Sequence, residues 1–224
     1  MPRYFFHVRD DDGDICAVPS QGALRDIMGR PMDLAVRKQL GKLDQYCRAF
    51  IARSPFLCIG TADAEGKADV SPRGDPAGFV QVLDDNTLII PDRPGNNRLD
   101  TMGNIMANPN VGLLFFIPGF EDTLRVNGRA TIVNDPAVLQ GAAVNGKAPK
   151  VAIRVAVDEA FLHCAKALKR SRLWDAESRV DRKTMPSLAQ MILEQTAPPK
   201  KPPTKQEVAE ADEFVEADYK TGMY

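Results

Sequence analysis

The sequence predicts a mainly β, α+β fold in which an antiparallel barrel is flanked by helices. Three observations carry this. From Phe56 onward the hydrophobic period shortens from that of a helix to that of a strand. The connections between the first four strand-like segments are too short for the crossover helix that parallel strands need. Helical periodicity is confined to the two ends of the chain and to one insertion between the fourth and fifth strands.

Taken in order, residues 1–14 alternate weakly (Tyr4, Phe6, Val8) and end in the turn-like DDDGD; residues 1–19 are read as an arm with no assigned function. SQGALRDIM, from Ser20, has a serine cap and suits a short helix. Residues 32–53 read as one helix, with Leu34, Leu40, Leu43, Tyr46, Cys47, Phe50 and Ile51 at helical spacing. Ser54-Pro55 ends it, because a residue before proline resists the helical region. FLCIGTA (56–62), KADVSP (67–72), GFVQVL (78–83) and TLIIP (87–91) read as four consecutive strands. A helix over 97–107 follows, stopped by Asn108-Pro109-Asn110. VGLLFFIPG (111–119) is apolar throughout and is expected to be buried on both faces. TLRVNGRATIV (123–133) alternates, with a bulge expected at Asn127-Gly128. Residues 135–145 are a short helix or loop, and KVAIRVAVD (150–158) is the last strand. EAFLHCAKALKRSRLWD (159–175) reads as a second long helix with Phe161, Leu162, Ala165, Leu168 and Leu173 buried. MPSLAQMILEQT (185–196) is a short amphipathic helix that closes a barrel domain over 20–196. Residues 197–224 hold a stiff proline-rich linker and an acidic terminal helix, expected to pack on a partner subunit.

Composition narrows the function. A net charge of −1 over 224 residues gives no global field favouring nucleic acid or an anionic membrane. No run approaches the roughly 18 apolar residues of a membrane span. The acidic start is unlike a secretory signal, so a cytoplasmic location is expected. Four cysteines (Cys16, Cys47, Cys58, Cys164) form no CxxC pair, and with two histidines they leave no metal site to assemble. Cys58 and Cys164 are read as small core residues. Phosphate-loop, GxGxxG and GxSxG motifs are absent. His163 is read as a half-buried residue rather than a catalyst.

The chemistry concentrates over 68–99. Two turns there, SPRGDP and PDRPGNNRLD, each close an apolar strand and carry Arg73, Arg93 and Arg98, with Asn96 and Asn97 beside them. The second opens a helix, whose unpaired amides attract anions, and a cation in a first helical turn opposes the helix dipole unless a negative group is bound. The bland alternative is local pairing: Arg73 with Asp75, Arg93 and Arg98 with Asp92 and Asp100. Neighbouring strand ends would bring Arg73 near Arg93, and two converging basic turns favour a bound phosphate. Arg125 and Arg129, four apart on one strand, share a face. Lys166, Arg170 and Trp174 fall at helical spacing. Trp174, the sole tryptophan, either caps a cofactor plane or locks its helix down.

ADVSPRGDP, PDRPGNNRLD, NPNVGLLFFIPG and TLRVNGRA, in this order and followed by HCAKALKRSRLW, resemble the pyridoxamine 5′-phosphate oxidase-like FMN-binding split barrels. The resemblance runs from about Ser20 to Gln195 and implies a six-stranded Greek-key split barrel, a homodimer, and FMN at the subunit interface. It would place Ser71, Arg73, Arg93, Asn96, Asn97 and Arg98 at the phosphate and ribityl chain, and Arg125, Lys166 and Trp174 nearer the ring, from the other subunit. The chain departs from the oxidase itself. Its phosphate loop reads GNNRLD where that enzyme has a Ser-Arg-Lys run, and His163 is followed by CAKALKR instead of the arginine–histidine pattern that grips pyridoxal phosphate. The expectation is therefore an FMN-dependent oxidoreductase passing hydride between NAD(P)H or a small organic substrate and FMN, without vitamin B6 oxidation. The alternatives are a non-catalytic flavin- or haem-related binding or redox-sensing module, and a barrel that takes another phosphorylated cofactor such as a deazaflavin.

Overall fold

A computed structural model describes residues 17–198 and 201–224. The weakly alternating arm, Cys16 and the centre of the proline-rich linker lie outside the described residues. The described residues divide into two compact units, one ending at Gln39 and the other beginning at Leu40. In the first, α1 (Gln21–Met28) is capped by Ser20, whose hydroxyl accepts from Ala23 N–H at 3.1 Å, as the sequence suggested. α2 (Asp33–Arg37) is a short helix carrying an Arg37–Asp33 ion pair.

The helix expected over 32–53 is broken in two. After α2 the chain extends, and Leu40 exchanges backbone hydrogen bonds with Ala160 at 3.0 and 2.8 Å. A new helix, α3 (Gln45–Ile51), then starts at Asp44, whose carboxylate accepts from Tyr46 and Cys47 N–H. The apolar spacing persists across the break because Leu43, Cys47, Phe50 and Ile51 all enter the core. The Asp44 cap is what restarts the helix.

The second unit is built on seven antiparallel strands: β1 (Phe56–Ala62), β2 (Ala68–Gly74), β3 (Gln81–Asp84), β4 (Thr87–Pro91), β5 (Asn110–Phe116), β6 (Thr123–Val133) and β7 (Ala152–His163). Their order is β2-β1-β5-β6-β7-β4-β3, so the barrel has seven strands rather than six. β2 and β3 follow one another in sequence but form the two edges, and the sheet stays open between them. That gap is the split of a split-barrel α+β fold. Every second residue points inward: Leu57 and Ile59, Leu88 and Ile90, Leu113 and Phe115, Leu124 and Val126, Ile153 and Val155 make one core, closed by α3 and by Ile105. β5 alternates in burial and is not covered on both faces. β4 is the strand buried on both, because Ile89 on its outer side packs with Leu139 of α5 (Pro136–Gln140) and Ala152.

Several boundaries differ from expectation. β7 runs to His163, and only α6 (Lys166–Ser171) remains of the helix expected over 159–175. The stretch 160–163 pairs in register with 126–123 of β6, and that ladder overrides its helical spacing. Leu162, Leu173 and Cys164 are consequently exposed, and Cys58 is only half-buried. α4 (Asp100–Ala107) begins three residues later than expected. The bulge at Asn127-Gly128 is present, and a Cβ at Gly128 would lie 2.1 Å from the Ala156 carbonyl oxygen. Beyond the barrel, α7 (Leu188–Thr196) packs on α8 (Lys205–Thr221), which opens with a Thr204–Glu207 capping box.

Candidate functional site: an anion cleft at the split

β2, an edge strand, closes with Ser71-Pro72-Arg73-Gly74, and β4, next to the other edge, closes with Pro91; one basic turn follows each. They are locked by a crossed pair of ion pairs. Arg73 Nη1 donates to Asp92 Oδ1 at 3.0 Å, and Arg93 Nε donates to Asp75 Oδ2 at 2.6 Å. Each arginine takes its carboxylate from the other turn, which requires the sheet to curl until the ends of β2 and β4 come together. The local Arg73–Asp75 and Arg93–Asp92 pairs do not form. Arg98 does pair locally, with Asp100 at 2.7 Å.

Between Pro91 and α4 the backbone is unusual. Asn96 accepts from Arg98 N–H through its side chain at 3.1 Å, while Asn97 and Leu99 sit at φ 55° and 61°. A left-handed leucine costs roughly 1–2 kcal/mol, and such strain tends to collect at functional positions. Leu99 precedes α4 and no side chain caps that helix, so its first amides stay open to an external acceptor.

The two turns and the start of α4 enclose a cleft of about 230 Å³. Ser71, Arg73, Arg93, Asn96, Asn97 and Arg98 all line it. One atom shows what the cleft suits: Arg73 Nε is buried and has no hydrogen-bond partner. Leaving a buried donor unpaired costs about 1–3 kcal/mol, and an anionic oxygen in the cleft would satisfy it. The donors present, guanidinium, side-chain amide, hydroxyl and backbone N–H, fit a phosphate ester. Burial pushes the Asp92 carboxyl above the usual carboxylate range, against the opposing pull of Arg73 and Arg93.

Arg125, Lys166 and Trp174 are not brought to this cleft within one chain. Arg125 lies 5.3 Å over the Phe161 ring. Trp174 Nε1 donates to the Phe120 carbonyl at 2.7 Å and fastens the segment after α6 to the barrel. Lys166 is exposed at the start of α6. Tyr224 is the residue sequence reasoning missed. Beyond α8 it returns to its own barrel, its hydroxyl donating to Asp75 Oδ1 at 2.6 Å. Nothing in the acidic tail signals that contact, which joins residues 149 apart in sequence.

A family profile described as pyridoxamine 5′-phosphate oxidase matches residues 43–164, more than half of the chain. The chain belongs to the pyridoxamine 5′-phosphate oxidase family. Members of this family typically bind flavin. The matched span covers both basic turns and six of the cleft residues considered above. No curated protein matches the sequence significantly. Among solved structures, HupZ of Group A Streptococcus is 21% identical, covering 54% of this chain and 93% of its own, with a TM-score of 0.44. General stress protein 26 of Bacillus anthracis is 19% identical over 51% of this chain and 88% of its own, at a TM-score of 0.39. An F420 reductase is 18% identical over 54% of this chain and 98% of its own, also at 0.39. Among the described residues no helix is long and apolar enough to cross a membrane.

Proposed function

We propose that this protein is an FMN-binding oxidoreductase, with Ser71, Arg73, Arg93, Asn96, Asn97 and Arg98 holding the phosphate and ribityl chain. The observation that carries the reading is the buried, partnerless Arg73 Nε in a cleft lined by all six of these residues. Asp92 and Asp75 hold the guanidinium groups in place before a ligand arrives, so little ordering remains to be done on binding. FMN bound there supplies hydride transfer to and from NAD(P)H or a small organic substrate.

At about 230 Å³ the cleft is smaller than the roughly 300–1,000 Å³ that encloses a whole small molecule. It suits the phosphate end, and the ring needs further walls. Arg125, Lys166 and Trp174 of a second copy are proposed as those walls, in a homodimer in the cytoplasm. With GNNRLD in the phosphate loop and no arginine–histidine pattern after His163, vitamin B6 is not the proposed substrate.

The test is anaerobic. Purified protein is expected to be yellow or to take up FMN, and NAD(P)H or another reductant is expected to bleach it faster than free FMN. A chain that takes up no FMN contradicts the reading. Bound flavin with no accelerated bleaching would select a non-catalytic binding or redox-sensing module instead.

A further inference from the structure

The anion cleft is held from outside by the far end of the chain. α8 ends at Thr221, and three residues further on Tyr224 reaches the turn after β2. It makes three contacts there. Its hydroxyl donates to Asp75 Oδ1 at 2.6 Å. Its ring lies 5.6 Å from the guanidinium carbon of Arg93. Lys147 Nζ donates at 3.0 Å to an oxygen of its main-chain carboxylate, Tyr224 being the last residue of the sequence. The lysine contact is exposed and worth little by itself. The phenol contact is different, because the Asp75 side chain is only 1% exposed. A buried carboxylate needs donors on its oxygens. Arg93 Nε supplies Oδ2 and Tyr224 supplies Oδ1. This division leaves the terminal nitrogens of Arg93 with no hydrogen bond among the described residues, in a side chain that lines the cleft.

We propose that Tyr224 is a positioning residue of the cleft: its phenol occupies one oxygen of Asp75, so that Arg93 stays available to an anion. Without the phenol, Asp75 Oδ1 is buried with no side-chain donor, and the donor at hand is the guanidinium already on Oδ2. An arginine fork matches both oxygens of one carboxylate. Arg93 would then close on Asp75 with two bonds and withdraw its second donor from the cleft. The Tyr224 ring, lying against the guanidinium, adds a cation–π attraction that holds it in the same place. The inference rests on the proposed function only in taking the cleft as the seat of the ligand.

The test is FMN titration into the full chain, as the parent and carrying Tyr224→Phe, Asp75→Asn or both, with the thermal midpoint checking each fold. Tyr224→Phe keeps the ring and is expected to weaken FMN about fivefold or more, the scale of coupling between touching residues. In Asp75→Asn the buried charge that would draw Arg93 away is gone, so adding Tyr224→Phe is expected to cost nothing further. A phenol that served the fold alone would cost the same in both backgrounds. That result overturns the proposal, as does equal affinity of Tyr224→Phe and the parent. If Asp75→Asn does not fold, Arg93→Lys replaces it as the background, because an ammonium cannot make the fork. A parent that takes up no FMN ends the proposed function, and inorganic pyrophosphate is then titrated into the same proteins. The same pattern with pyrophosphate supports the positioning role of Tyr224, and any other, including no binding at millimolar concentration, overturns it.

Discussion

Asp92 shows how little of a charged residue's behaviour follows from its partner alone. It lies 3.0 Å from Arg73, which should favour its ionised form, yet burial outweighs that attraction and its carboxyl holds a proton more tightly than in the unfolded chain. Ionised Asp92 therefore penalises the folded state at neutral pH, and the penalty is relieved as pH falls through its raised folded pKa. Asp92→Asn is therefore expected to be at least as stable as the parent at pH 7, with any advantage shrinking as the pH enters the carboxylate range. Thermal midpoints against pH check this, and a variant clearly less stable at pH 7 would contradict it. Cys47 gives a second case. Burial, the largest influence, and its contact with Asp44 push the thiol up to about 11. Cys164 is exposed and should react promptly with a thiol reagent at pH 8, whereas Cys47 should react only on unfolding. At this scale the sequence showed which arginines and asparagines gather, because two basic turns at strand ends are a local pattern. It did not show which carboxylate each would choose. Pairing across the split depends on how far the sheet curls.

Among the elements, the strands were legible wherever alternation and turn residues agreed, as in FLCIGTA and TLIIP. They were misread where one segment satisfied two periods. The stretch 159–163 fits a helical stripe and an alternating strand equally, and only the ladder to β6 decides. Likewise the apolar spacing through 32–53 concealed a new cap at Asp44. Two substitutions test the elements that shape the site. Gly128→Ala would put its Cβ 2.1 Å from a backbone carbonyl oxygen, and the bulge should lose about 1–3 kcal/mol or more in denaturant unfolding. No change would mean that the bulge is not needed. Leu99→Gly removes a left-handed, 56% exposed leucine just before α4. It is expected to stabilise the fold by about 1 kcal/mol while loosening the cleft, a trade typical of strained functional positions. Loss of stability would assign Leu99 a packing role instead.

For the molecule as a whole, the candidate cleft lies where the ends of β2 and β4 come together. The ends of β2 and β4 carry two basic turns and a helix start, and the chain ties them together with crossed ion pairs and with Tyr224 from beyond the last helix. The hydrogen bond to Asp75, aided by burial, raises the Tyr224 phenol above 10.0. Its stabilising contact is fully present below that value and is lost as pH rises through the folded pKa. An ultraviolet pH titration should show a late tyrosine step that Tyr224→Phe removes; a parent lacking that step would mean the tail is not seated on the barrel. The central claim, that guanidinium groups from separate turns jointly hold a phosphate ester, is tested most directly by titrating FMN into the parent and into Arg73→Ala, with folding checked by the thermal midpoint. The parent is expected to bind, and the variant to bind more weakly by about 1.5–3 kcal/mol, the scale of hydrogen bonds to charged groups. Equal affinity in the two proteins, or no uptake of FMN by the parent, would contradict it.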